Sequence, residues 1–283
     1  MTETRTSTAD LPDRIAAFVD DELRAAFRSM SGETVSDQDV HDARKSLKKA
    51  RAGLRLIRAT MADETFRDHN LALRDAGRLL SPLRDSHSQL QLFHSFDDDT
   101  RLPNARIESA LYAELSQARH IFDATTARER CRELIGRVRE SLCDSTPGDA
   151  AACIDGLRRI YRKGRRALAR VRRKDSAPRR HELRKQAKYL RVALEVIEAS
   201  EYRDAHERAR RVASWLGEDH DLAVLREHVA RIDKNLGTND DRWLVCIEER
   251  QKKLQRKALA KAHELFNEKS ATFIAKLSCD DGN

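Results

Sequence analysis

His41-Asp-Ala-Arg44-Lys-Ser-Leu-Lys48-Lys-Ala-Arg51 and His181-Glu-Leu-Arg184-Lys-Gln-Ala-Lys188-Tyr-Leu-Arg191 are one phrase written twice, 140 residues apart. In each, a histidine is followed by basic residues three, seven and ten positions on. Steps of three and four keep side chains on one face of an α-helix, so the spacing predicts two helices with matching cationic edges. The His41, Arg44, Lys48, Arg51 and Arg55 edge runs beside an apolar seam of Ala43, Leu47, Ala50, Leu54 and Ile57. Leu183, Ala187, Leu190, Leu194 and Ile197 are the seam of the second copy. Two copies in one chain point to a duplicated helical unit that presents two cationic stripes to one anion.

Working outward, eight helices are predicted. They cover about 11–30, 36–60, 62–93, 104–143 with a break near 123–126, 149–174, 176–200, 202–235 and 239–277. Ser36-Asp-Gln-Asp39 has the form of a capping box at the start of the second. Asp144-Ser-Thr-Pro147-Gly148 is the clearest linker. It divides 11–277 into halves of four helices each, 11–143 and 149–277, with short flanks at 1–10 and 278–283. A second internal match, Leu80–Asp85 with Leu216–Asp221 at an offset of 136, supports the duplication. The expected fold class is all-α: two antiparallel four-helix bundles about a pseudo-twofold axis, with long helices and a basic central cavity.

Composition agrees with helices and selects a partner class. Of 283 residues, 36% are charged and 5% aromatic, and the net charge is +8. Residues 156–174 hold ten Arg or Lys and no acid, and 43–62 hold seven and no acid. Such runs call for a polyanion: nucleic acid, an acidic lipid surface or a phosphate polymer. The fifth helix alone carries Arg159, Lys163, Arg166, Arg170 and Arg173 in one stripe, with Arg158, Arg162 and Arg165 beside it. Like charges beside a packing seam are costly unless an anion joins them. A linear polyphosphate suits this track, because it repeats its charge and has no bases to read. Single-strand nucleic-acid binders add aromatic stacking platforms. Here Tyr161 and Tyr189 are the aromatics within the basic helices, and they fit packing roles better.

Other classes are less well served. Cys131, Cys143, Cys153, Cys246 and Cys279 form no CxxC pair and suit buried thiols in a reducing compartment. No secretory signal and no apolar run long enough for a membrane span is visible, so a soluble, cytoplasmic protein is expected. His41-Asp42 and His220-Asp221 are HD dipeptides, which raises a metal-dependent phosphohydrolase as an alternative. The basic surroundings would repel its cation. A bonding role near the helix starts is the plain alternative for His41 and His181. A third alternative is a scaffold whose basic face binds RNA or an acidic protein. No nucleophile–base pair or Gly-rich phosphate loop is readable, so a binding module without catalysis, metal or cofactor is expected.

The two His-x-x-Arg-x-x-x-Lys-x-x-Arg phrases, Tyr161-Arg162-Lys163-Gly164-Arg165-Arg166 and Leu216-Gly217…Asp221-Leu222 together resemble the CHAD family, the conserved histidine α-helical domain. The resemblance covers about residues 10 to 277. It implies an all-α fold of two four-helix bundles with a basic cavity, binding of inorganic polyphosphate, and recruitment to polyphosphate granules. Carried over residue by residue, His41, Arg44, Lys48, Arg51, His181, Arg184, Lys188 and Arg191 would contact phosphate. Arg162, Arg165 and Arg166 would join them from the fifth helix, with Lys45, Arg55 and Lys185 at the same edges. One departure stands out. The family's Arg-Asp-x-Asp-Val pattern is Arg84-Asp85-Ser86-His87-Ser88 here, which puts in question any role of the second acid. The Glu-x-Glu-x-Lys motif of the triphosphatase domains often fused to this family is absent.

Overall fold

The computed structural model describes residues 10–96, 105–143, 149–236 and 242–277, and every regular element among them is helical. In chain order these are α1 (Leu11–Ser29), α2 (Asp37–Leu56), α3 (Asp63–Leu79), α4 (Ser81–His94), α5 (Ala105–Ala124), α6 (Ala127–Cys143), α7 (Ala150–Arg173), α8 (Ala177–Ile197), α9 (Arg203–Leu236), α10 (Arg242–Leu265) and α11 (Ser270–Ala275). Short 3₁₀ turns follow α2 and α8 at Ile57–Thr60 and Ser200–Tyr202. The expected linker at 144–148, the polar stretch at 97–99, the Gly237 stop, Cys279 and the flanks 1–9 and 278–283 lie outside the described residues.

The helix signals act as their chemistry requires. The Ser36 hydroxyl accepts from the Asp39 amide at 3.1 Å, and the Asp39 carboxylate accepts from the Ser36 amide at 2.8 Å. The Ser36 hydroxyl also donates to that carboxylate, and this bond with the one from the Ser36 amide holds the Asp39 carboxyl below its usual range. Asp149 caps α7 by accepting from the Ala152 amide at 2.7 Å. The helix expected over 62–93 is in fact two, meeting at Leu80. Pro82 is the physical reason: it has no N–H for the carbonyl four residues back, and its ring crowds that carbonyl. The last expected helix likewise ends at Leu265, and the short α11 follows it.

Both predicted seams are buried. Ala43, Ala50, Leu54, Leu183, Ala187 and Leu190 have no exposed surface, and Leu47 has almost none. Each buried leucine contributes roughly 1.5–3 kcal/mol relative to exposure. The main core runs from Leu11 to Leu277. A second cluster, built on Phe93 stacked 4.8 Å from Trp243, joins α4 and α5 to α9 and α10. Helix α2 packs against α1, α3, α7 and α8, so the two phrases lie on neighbouring helices. At one crossing the backbones touch: a Cβ on Gly156 would lie 2.1 Å from the Leu56 carbonyl oxygen. Only glycine allows that approach, which sets the basic face of α7 against the basic end of α2.

Candidate anion-binding site

The two cationic edges meet across the α2–α8 contact. Burial, then the charges of Arg44 and Arg184, lowers the Lys48 ammonium to about 8. Burial, then Arg184 and Lys48, lowers Lys188 to about 7. Lys48 keeps an exposed surface while Arg184 and Lys188 are half-buried, so the three lie in an open groove rather than in the core. Asp85 and Asp221 act in the opposite sense on Lys48 and Lys188 respectively, and they do not offset the desolvation.

The arginines around the lysines are held from behind. Arg44 Nη1 donates to the Gly77 carbonyl at 2.8 Å and to the Ser81 hydroxyl, and its Nη2 lies 3.4 Å from Asp85. Arg184 lies flat against Gly217, where a Cβ would come within 3.2 Å of Nη2. Gly77 and Gly217 are 140 residues apart, as the arginines are. His41 Nδ1 accepts from Arg84 Nε at 2.8 Å, which leaves its proton on Nε2 and gives the ring the bonding role offered above as its plain alternative. Burial and Arg84 hold its pKa below the usual histidine value. Burial and His220, whose ring lies 5.0 Å away, do the same for His181.

Arg84 and His220 are 136 residues apart. The contacts therefore repeat in two registers that differ by four residues, about one helical turn. The extra turn falls between Gly77 and Arg84, where α3 gives way to α4, while α9 runs unbroken through its counterpart. His87, where the family pattern has its second acid, pairs its Nδ1 with Asp37 at 2.9 Å and ties α4 to the start of α2.

A cavity of about 500 Å³ continues the track between α2, α7 and α8. Eight basic side chains line it: Arg51, Arg55, Arg58, Arg159, Lys163, Arg166, Arg170 and Lys185, with Glu182 as the acid. Arg51 is one turn beyond Lys48 on the same face of α2. Asn70 fixes two of the guanidinium groups, accepting from Arg51 at 3.2 Å and Arg55 at 3.0 Å. Arg55 also lies over the Tyr189 ring at 4.2 Å. Burial and the Arg55, Arg58 and Arg159 charges lower Lys163. Buried nitrogens of Arg44, Arg159 and Arg184 have no hydrogen-bond partner among the described residues. Buried donors of this kind are rare and suit an anion that completes them.

Of the predicted site residues, Arg51, Arg55, Arg166 and Lys185 line the cavity, although Lys185 also pairs with Glu182. His41, Arg44, Lys48, His181, Arg184 and Lys188 belong to the adjoining groove. Arg191 reaches Lys188 with its charge while pairing with Glu195 at 3.0 Å. Lys45 is exposed. Arg162 does not line the cavity, and Arg165 turns away to donate to the Phe266 carbonyl at 3.3 Å. The α7 residues that do line it with Arg166 are Arg159, Lys163 and Arg170, whose four-three-four spacing is legible. Arg58 and Arg84 were outside the predicted set. The link between His41 and Arg84 is tertiary, so no local pattern announces it.

Lys188→Met is expected to raise stability by roughly 1 kcal/mol in urea unfolding at pH 7, because a cation desolvated among like charges destabilises the free fold. A clear loss of stability would show that Lys188 instead packs as a structural cation.

A profile of the CHAD domain matches residues 17–230. The chain belongs to the CHAD domain family. Among solved structures it is similar to the CHAD domain from the plant Ricinus communis, with 17% identity, a TM-score of 0.62 and 92% of each chain covered. It is also similar to PptA from Streptomyces chartreusis, with 14% identity, a TM-score of 0.61, and 92% of this chain and 99% of that one covered. At such identities the likeness is one of fold. No curated protein matches the chain. Among the described residues of this CHAD domain, no helix is long and apolar enough to cross a membrane. None of its His, Cys, Asp and Glu side chains there form a group of three suited to a metal ion. Cys131 and Cys153 are buried free thiols, and Cys246 is half-buried and free.

Proposed function

We propose that this CHAD domain binds inorganic polyphosphate along the groove between α2 and α8 and into the adjoining basic cavity, without catalysing a reaction. In this reading the halves 11–143 and 149–277 stand about a pseudo-twofold axis that brings the two phrases to one ligand. The observation that carries it is the crowding of Lys48, Arg184 and Lys188. Like charges crowded together at a partly buried site raise the free energy of the empty site and lower it when phosphates arrive. Arginine forks take phosphate oxygens in pairs, and lysine supplies point charge. Arginines lie over the cavity's two aromatic rings, Arg55 over Tyr189 and Arg58 over Phe66 at 4.8 Å, so each ring already engages a cation. That favours a polymer without bases over nucleic acid. A cytoplasmic protein that associates with polyphosphate granules would follow.

The test is the salt dependence of binding to long-chain polyphosphate. Raising salt from 50 to 200 mM is expected to weaken affinity by about tenfold or more, as counterions compete for the phosphates. Salt-independent binding would contradict an electrostatic track.

A further inference from the structure

We propose that Lys188 is a site of covalent acylation by acyl phosphates, and that its acylation shuts the groove to polyanions. The inference rests on the groove's attraction for phosphate groups, but it concerns a reaction rather than reversible binding.

The neighbours of Lys188 make the case. Arg184 lies one turn before it and Arg191 one turn after it on α8. Lys48 faces it from α2, and the carboxylate acting on it is Asp221 of α9. Its Nζ has no hydrogen bond or ion pair among the described residues. Several other lysines are engaged: Lys49 holds Glu22 and Glu195, Lys252 holds Glu248, and Lys276 holds Glu268. Lys188 is only partly covered, so a small molecule can reach it. Burial, joined by the same like charges that invite a phosphate, keeps part of this amine neutral near pH 7. A neutral amine is the nucleophile, and a lysine ammonium is not.

An acyl phosphate supplies both halves of the match. Its phosphate docks among Arg184, Arg191 and Lys48, which sets the acyl carbon beside Nζ. The Nζ lone pair forms the new C–N bond, the bond from acyl carbon to phosphate oxygen breaks, and inorganic phosphate leaves with that electron pair. The amine proton passes to solvent. The product is a neutral amide and one groove cation fewer, with no change in oxidation state.

The test treats the wild-type protein with acetyl phosphate at pH 7.5 and follows each lysine by peptide mass spectrometry. Lys188 is expected to acetylate about tenfold faster than exposed Lys253, and added tripolyphosphate is expected to erase the excess. Treated wild-type protein is then expected to bind polyphosphate about tenfold more weakly than untreated protein, the loss rising in step with acetylation of Lys188 and not with acetylation of Lys253. Labelling of Lys188 no faster than of Lys253 would overturn the proposal. An equal excess with the uncharged N-hydroxysuccinimide ester of acetate would overturn the assignment to acyl phosphates. Polyphosphate binding by the unmodified sample, measured alongside, separates the two claims. Binding without selective labelling sinks the acylation alone, and absence of binding sinks the polyphosphate reading.

Discussion

Reversing two groove charges, Lys48→Glu with Arg184→Glu, is expected to weaken polyphosphate binding by about a hundredfold or more. The matched control, Lys252→Glu with Lys253→Glu, removes equal charge from α10 and is expected to cost about threefold or less. Geometry sets the difference. Lys48 and Arg184 repel each other across the α2–α8 contact and have few acids to satisfy them. Lys252 is exposed and already pairs with Glu248 at 2.8 Å, so a ligand gains little from it. Titration calorimetry on both variants gives the comparison. Glutamate at 184 would sit near Asp219 and Asp221, so the neutral pair Lys48→Gln with Arg184→Gln guards against a folding artefact. That pair is expected to lose about tenfold with an unchanged helical spectrum. Equal losses in the groove and control variants would mean that net charge, not a site, attracts the ligand.

Binding is expected to take up about one proton per protein near pH 7.5, and affinity is expected to fall as pH rises from 6.5 to 9. The sign follows from the free protein, where Lys48 titrates at about 8 and Lys188 at about 7. In that window part of each amine is neutral. A bound polyanion favours the ammonium form and raises both values, so the complex holds more protons than its separated partners. Below about pH 6.5 both lysines are charged before binding and this dependence flattens. The lowered His41 and His181 then add a further gain as they protonate. Calorimetry at pH 7.5 in buffers of different ionisation enthalpy reads the proton directly. Identical heats in all buffers would show that Lys48 and Lys188 do not meet the ligand. The same depressed values predict that the free protein gains stability between pH 7 and 10, because the unfolded lysines bind protons that the folded ones have lost.

How much of this was legible depended on the range of each interaction. The seams, the Ser36–Asp39 cap and the cationic edges are local patterns, and Ala43 to Ile57 and Leu183 to Ile197 bury where the spacing puts them. Pro82 was in plain view as a helix breaker, but the apolar rhythm on either side of it reads as continuous. The four-residue slip between the repeats becomes visible only through contacts, since Arg44 and Arg184 meet glycines in one register while His41 and His181 meet their partners in another. On α7 the family motif points to Arg162 and Arg165, whereas the face that reaches the cavity is the Arg159, Lys163, Arg166 and Arg170 stripe. Which of two adjacent stripes faces inward depends on the Gly156 crossing, a tertiary fact. The depressed lysines were not legible at all, because desolvation depends on what packs around them.

The most direct test of the central claim is a calorimetric titration at near-physiological salt with long-chain polyphosphate, tripolyphosphate and a single-stranded RNA, each with and without EDTA. Tight binding of long polyphosphate, indifferent to EDTA and much weaker for the other two, is the predicted result. RNA binding of similar strength, or binding that EDTA abolishes, would contradict it.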